Sequence, residues 1–297
     1  MALAVLCCAL WGGNTVAVKF TVPDVPPLAC AGVRFALGLP LIALADRLAG
    51  ASLRPDRDDF GLLFANGVLL FVQIATFNVG TAWTLAGRAS LLINVHPFIV
   101  TPLAWLLLGE RLTRAGLAGL LLAAGGIAWL FWEPLQAAGG SLGGDLTLLA
   151  SAVILGGQTV YQKFVLRSVR ATTLLFWQTV VALPLFFAAS AAWEDWSRVT
   201  LTAESAAGLA YQGWLVSGLC FLIWFKLVHE YPVSQLATLG FLTPVFGVAA
   251  GVLLLGEVLS GALVGGTVLV GLGIYLVARG RTVPTTPAME SDALSER

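Results

Sequence analysis

The sequence predicts an all-α integral membrane protein of ten transmembrane helices arranged as two inverted five-helix repeats. Composition, the placement of charge and internal self-similarity carry that prediction. Of 297 residues, 58% are hydrophobic and 11% are charged, with a mean hydropathy of +0.90, whereas a soluble domain carries roughly 25% charge. A chain so poor in charge lacks the polar surface to face water on all sides, which excludes an ordinary soluble domain. Sixteen basic residues balance sixteen acidic ones, so no basic field points to nucleic acid and no acidic field to a cationic partner.

Charge is absent from Phe60–Trp83, Ala115–Trp132, Ala171–Trp193, Ser205–Phe225, Pro232–Gly256 and Val258–Ala278. Each run is long enough to cross a hydrocarbon core about 30 Å thick. Four further runs hold at most one ionisable residue: Ala2–Val18, Leu28–Ala45 with Arg34, Ala89–Gly109 with His96, and Leu146–Gln162. The connectors concentrate helix breakers and charge, as in Val22-Pro23-Asp24-Val25-Pro26-Pro27 and Arg54-Pro55-Asp56-Arg57-Asp58-Asp59. Cytoplasmic loops hold the excess of Lys and Arg. Arg47, Arg54, Arg57, Arg111, Arg114, Lys163, Arg167, Arg170, Lys226, Arg279, Arg281 and Arg297 fall on one side, against Lys19, Arg88 and Arg198 on the other. That imbalance places both termini in the cytoplasm of an inner-membrane protein. Ala2–Val18 reads as a span and not a signal peptide, because no basic region precedes it and no small-residue cleavage signature follows. The tail 281–297, with Pro284, Pro287 and its Ser, Thr and Glu content, is expected to be disordered. All four cysteines, Cys7, Cys8, Cys30 and Cys220, fall inside spans, where packing explains them better than a disulfide or zinc framework.

The self-similarity is ordered along the chain. Trp11-Gly12-Gly13-Asn14-Thr15-Val16-Ala17-Val18-Lys19-Phe20 matches Leu155-Gly156-Gly157-Gln158-Thr159-Val160-Tyr161-Gln162-Lys163-Phe164 at six of ten positions, 144 residues apart. The same offset pairs Leu39-Pro40 with Leu183-Pro184. Leu106-Leu107-Leu108-Gly109-Glu110 recurs as Leu253-Leu254-Leu255-Gly256-Glu257 at an offset of 147, which also pairs Pro97 with Pro244. Two units follow, 1–135 and 143–280. Because five spans is an odd number, the second unit enters the membrane from the opposite face, the architecture of many secondary transporters.

Trp11-Gly12-Gly13-Asn14 in span 1, Ala86-Gly87-Arg88-Ala89-Ser90 leading into span 4 and Leu108-Gly109-Glu110-Arg111-Leu112-Thr113 closing it resemble the EamA family of the drug/metabolite transporter superfamily. Within it, the chain is most similar to the YddG-type exporters of aromatic amino acids and related metabolites. The resemblance implies a central cavity walled by spans 1, 3, 4, 6, 8 and 9, and export of small metabolites from the cytoplasm. The second unit departs from the pattern in having no basic residue directly after Glu257.

Every Asp and Glu lies in a connector, in the tail or at a span end. A buried acid commonly serves exporters of cationic drugs as proton site and counter-ion, so its absence argues against a cationic substrate. Two ionisable residues do lie inside spans. Arg34, two turns into span 2, either snorkels to the interface or faces a vestibule and attracts a substrate carboxylate. His96, near the middle of span 4, either bonds a neighbouring helix or lines the cavity and meets substrate. Pro97 and Pro244 each remove one backbone hydrogen bond and crowd the carbonyl four residues back, at Ile93 and Gly240. They are static kinks or a matched pair of hinges.

The amides Asn14, Asn66, Gln73, Asn78, Asn94, Gln158, Gln178 and Gln212 must find partners or water inside lipid. Trp11, Trp105, Trp177 and Trp214, with Phe71, Phe77, Phe98 and Tyr161, either stack an amphipathic substrate or pack against lipid and the core. The candidate cavity set is therefore Arg34, His96, Asn14, Gln158, Trp11, Phe71, Asn78, Trp105, Trp177 and Trp214. Gly12-Gly13 and Gly156-Gly157 are expected at close helix crossings, with Thr113 and Ser260 as N-caps of spans 5 and 10.

These readings predict a monomeric secondary transporter, acting in membrane lipid on small metabolites, amino acids among them, without cofactor, metal or nucleic acid. A channel or lipid translocase of the same fold is the alternative. An integral membrane enzyme is disfavoured, because the sequence holds no zinc-binding HExxH, no nucleophile elbow and no midplane pair of Asp residues.

Overall fold

The computed structural model describes residues 2–48, 53–109, 113–132, 141–233, 236, 239–240, 242–256 and 261–279. Helix lies in each of the ten expected runs, as α1 (Ala2–Thr21), α2 (Pro27–Leu48), α3 (Phe60–Trp83), α4 (Ala86–Ile93), α5 (Pro97–Leu108), α6 (Arg114–Trp132), α7 (Leu142–Val165), α8 (Ala171–Trp193), α9 (Ala203–Ala210), α10 (Phe221–Glu230), α11 (Leu242–Leu255) and α12 (Gly261–Arg279). Among the described residues, six helical stretches are long and apolar enough to cross a membrane. The expected tail, Ser260 and the two Glu residues of the Leu-Gly-Glu elements lie outside the described residues.

Two spans are not the plain helices the sequence suggests. Span 4 is broken at Asn94–His96 between α4 and α5, and Pro97 opens α5. Proline is well suited to a first helical position because it has no N–H to leave unpaired. Span 8 runs unbroken from Ala203 to Glu230, but its centre, Tyr211–Cys220, is wound as a π-helix between α9 and α10. A π segment is rare and frequently marks a functional site. Gly213, Ser217 and Gly218 lie in it, and it packs closely on α2: a Cβ at Gly213 would fall 2.5 Å from Leu37 and 3.1 Å from the Arg34 carbonyl.

The ends of the helices are tied by side chains. Ser141 accepts from the Gly144 amide to open α7 (3.0 Å), and Thr202 forms a capping box with Ser205 to open α9. Thr113 accepts from the Gly116 amide, as its N-cap assignment requires. Glu194, just beyond α8, accepts from the Leu28 and Ala29 amides at 2.7 and 3.0 Å. It thereby supplies the opening turn of α2 with the negative charge that a helix N-terminus favours. Gly109 and Gly256 end α5 and α11 with φ of 71° and 66°, the left-handed C-cap that glycine adopts without steric cost. The repeated Leu-Leu-Leu-Gly element is thus a helix stop used twice.

In lipid, helices gain no hydrophobic drive toward each other, and small residues and interhelical hydrogen bonds take that role. α1 crosses α11 closely, since a Cβ at Gly12 would fall 2.7 Å from the Gly247 amide nitrogen. Gly13 and Gly156 also sit against neighbours, but Gly157 faces open space, which corrects its expected place at a crossing. α3 packs on α7 and α8, α2 on α8 and the π segment, and α6 on α12. Phe35 stacks on Phe186 with centroids 5.6 Å apart. All four cysteines are fully buried and free.

Candidate functional site

Among the described residues, the two buried carboxylates are placed near the ends of helices with partners. Asp145 is paired with Arg88 and accepts from Thr84, and Asp46 accepts from the Thr172 hydroxyl at 2.7 Å. Between those ends lies a cavity of about 140 Å³ of water-accessible space, lined from α1, α2, α3, α4, α7, α8, the π segment, α10 and α11. Among the described residues, no Asp or Glu lines it.

Half of the expected site residues meet there: Trp11, Asn14, Arg34, His96 and Gln158 all line it. Arg34 is 2% exposed and donates from Nε to the Ser217 hydroxyl at 3.0 Å. That corrects the snorkelling alternative, because the guanidinium reaches into the protein and not along the helix to an interface. The other five stand elsewhere. Phe71 packs edge-on against Phe186 at 5.2 Å. Asn78 is buried and donates to the Pro27 carbonyl at 3.0 Å. Trp177 gives its indole N–H to the Leu53 carbonyl at 2.7 Å. Trp105 and Trp214 are 57% and 53% exposed on outer helix faces.

Several lining residues were missed as site candidates. Gln73, Asn94 and Gln178 stand in the sequence as in-span amides, Ser90 in the Ala86–Ser90 motif, Thr15 and Thr159 in the repeat and Thr243 in no motif, and none of these patterns alone points to a cavity. The self-similarity held the signal. Trp11 and Leu155, Asn14 and Gln158, Thr15 and Thr159, and Arg34 and Gln178 stand 144 positions apart, and His96 and Thr243 stand 147 apart. Both members of every such pair line the cavity.

The break in span 4 organises His96. Pro97 cannot offer the Ile93 carbonyl an N–H, and that carbonyl receives the His96 amide at 3.3 Å and His96 Nδ1 at 3.1 Å. A bond to a carbonyl requires the proton on Nδ1, which leaves Nε2 of a neutral ring as an acceptor. Pro244 creates the same vacancy at Gly240, whose carbonyl receives the Thr243 amide at 2.9 Å. In each case the residue before the proline mends the ladder and also lines the cavity.

An amide network sets the far wall. Gln178 Oε1 accepts from Asn66 Nδ2 at 2.6 Å and from Gln162 Nε2 at 3.3 Å, and Gln158 donates to Asn66 Oδ1 at 3.5 Å. Opposite chemistry comes from the aromatics: Trp11 meets Trp224 and Phe221 edge-on, at 4.8 and 6.2 Å between centroids. A cavity with one amide wall and one aromatic wall suits a small solute that is polar at one end and apolar at the other.

The profile of the EamA-like transporter family matches the chain twice, over residues 1–132 and 142–279. The chain belongs to the EamA-like transporter family. It is 31% identical to a "Probable amino-acid metabolite efflux pump" of Escherichia coli (strain K12), over 92% of this chain and 93% of that protein. It is 29% identical to a protein of the same description from Salmonella typhimurium, over 96% of each. A solved crystal structure shares the fold with a TM-score of 0.77 at 21% identity, covering 94% of this chain and 97% of its own. These matches make the chain a multi-pass membrane transporter and not an enzyme.

Proposed function

We propose that the protein is a secondary transporter that exports small amphipathic metabolites, amino acids among them and aromatic ones in particular, from the cytoplasm by alternating access. It would sit in the inner membrane with both termini cytoplasmic, as two inverted five-helix repeats, 1–135 and 143–280. The observation that carries this reading is the lining of one cavity by residue pairs 144 and 147 positions apart. A site assembled from equivalent positions of two units, at their junction, is what exchange of conformations between units requires. The printed description of the two enteric relatives as amino-acid metabolite efflux pumps supports the substrate class.

Pro97 and Pro244 act in this reading as the hinges of spans 4 and 9. The Ile93 and Gly240 carbonyls that the prolines cannot serve are already satisfied by the His96 and Thr243 amides, so a bend at either place need expose no backbone group to lipid. Counterflow in proteoliposomes tests the carrier: flux must saturate and be stimulated by substrate on the far side, and linear flux indifferent to it favours a channel or lipid translocase instead. Pro97→Ala and Pro244→Ala should each depress transport at unchanged expression. Wild-type flux in both removes the hinges.

A further inference from the structure

We propose that Arg34 is the carboxylate-binding residue of the cavity, forming with Gln178 the donor end of an amino-acid site whose ammonium group is received by Asn14 and Ser90. The proposal rests on the transport reading above and adds to it the residues that recognise each end of the solute.

Buried polar atoms without a partner are few in native proteins and call for an explanation. Six such side-chain atoms occur among the described residues, and four of them belong to residues lining this one cavity: Arg34 Nη1, Gln178 Nε2, Asn14 Oδ1 and Ser90 Oγ. They sort by chemistry and by the helices that carry them. The two nitrogen donors come from α2 and α8, which pack on each other, and the two oxygens from α1 and α4, which also pack on each other.

Arg34 cannot shed its charge, since a guanidinium is not deprotonated in proteins. A buried charge is strongly unfavourable unless it is paired. Its Nε is held by the Ser217 hydroxyl, which is neutral, and among the described residues no carboxylate lines the cavity. Glu194, at the start of the same helix, is engaged by the Leu28 and Ala29 amides and the Ser190 hydroxyl. The protein therefore supplies the cation without a cavity-lining counter-ion, and a solute carboxylate completes the pair in the forked geometry that guanidinium favours. Gln178 presents its NH2 because its Oε1 is occupied by Asn66 and Gln162. At the other end, a carbonyl oxygen and a hydroxyl oxygen accept from an ammonium group. Trp11 lines the same cavity and suits an apolar side chain.

The full-length chain in proteoliposomes tests this with the twenty proteinogenic L-amino acids, and with the carboxamide and the deaminated acid of the best substrate as competitors. Arg34→Gln should raise the half-saturating concentration of the amino acid by about 30-fold or more, the scale expected when a buried charged partner is truncated. The carboxamide should compete about 30-fold less well than the free acid on the wild type, and equally on wild type and variant. Arg34→Lys should restore part of the loss. Asn14→Leu should weaken the amino acid while leaving the deaminated acid unchanged.

If Arg34→Gln fails to insert, Gln178→Leu reads the same donor pair, with a weakening of about tenfold expected. Unchanged affinity in whichever variant folds, or a carboxamide that competes as well as the acid, overturns the assignment. A wild-type chain that moves none of the twenty overturns it together with the transport reading. One that moves them with Arg34 indifferent overturns the assignment alone.

Discussion

The segments matched by the family profile, 1–132 and 142–279, place equivalent residues in one cavity and give them different chemistry. Arg34 answers to Gln178 and His96 to Thr243, so both ionisable groups of the lining come from the first segment. The residues that shape backbone are kept alike: Gly109 and Gly256 stop α5 and α11, and Pro97 and Pro244 interrupt the ladder in the same way. So are the lysines of the last turns. Lys19 donates to the Ala82 carbonyl near the end of α3, and Lys163 donates to the Val228, His229 and Tyr231 carbonyls at the end of α10. Positions 144 and 147 apart are alike where they shape and tie helices, and Arg34/Gln178 and His96/Thr243 differ where they line the cavity.

The severest way to break that contrast is to restore the symmetry. Gln178→Arg would put a second guanidinium into a cavity with no lining carboxylate. The variant should lose on the order of 3 kcal/mol, the scale of an unpaired charge at membrane depth, read as a lowered melting temperature in detergent. A wild-type melt would show that the cavity tolerates charge on both sides.

A smaller effect separates two glycines of the repeated Gly-Gly element. A Cβ at Gly13 would fall 2.6 Å from the Tyr211 hydroxyl, whose bond to the Leu10 carbonyl holds it in place, whereas one at Gly157 meets nothing within 4 Å. Gly13→Ala should therefore cost about 1–3 kcal/mol, and Gly157→Ala should be neutral or gain up to about 1 kcal/mol from helix propensity. Equal melting temperatures would erase the distinction.

The smallest effect lies in the connector after α1. The Thr202 hydroxyl, and after it Ser205, hold the Asp24 carboxyl below its ordinary 3.8. A depressed carboxyl contributes stability that is complete above the ordinary value and fades as pH falls through the lowered one. Asp24→Asn should lower the melt slightly near neutral pH, and the gap between wild type and variant should close as the pH falls well below the ordinary carboxyl value.

The spans were legible because charge is costly in lipid, so its absence over a whole run is a signal that no packing detail can blur. The broken span 4 was half legible: Pro97 marked the place, but the three-residue interruption follows from how His96 mends the ladder. The π-helix at Tyr211–Cys220 left no mark, since its hydrogen-bond spacing has no residue pattern of its own. In the cavity, amides and ions were easier to place than aromatics. A polar atom in lipid must be satisfied, and Asn14, Gln158, Arg34 and His96 led to the lining on that ground. Asn78 obeyed the same rule by bonding the Pro27 carbonyl. An indole is equally at home facing lipid, in a core or beside a solute, so sequence alone does not tell Trp11 and Trp224, which line the cavity, from Trp105, Trp177 and Trp214, which stand outside it.

The four cysteines have a practical consequence for work on the whole protein. Cys7, Cys8, Cys30 and Cys220 are each 0% exposed, and none lines the cavity. A membrane-impermeant maleimide should find no native target in the folded chain, so a single cysteine introduced in a loop can be labelled in the otherwise unaltered protein. Added from one side of sealed vesicles, the same reagent would report which face carries the Lys19 end and which the Lys163 end, with no cysteine-free background to build first.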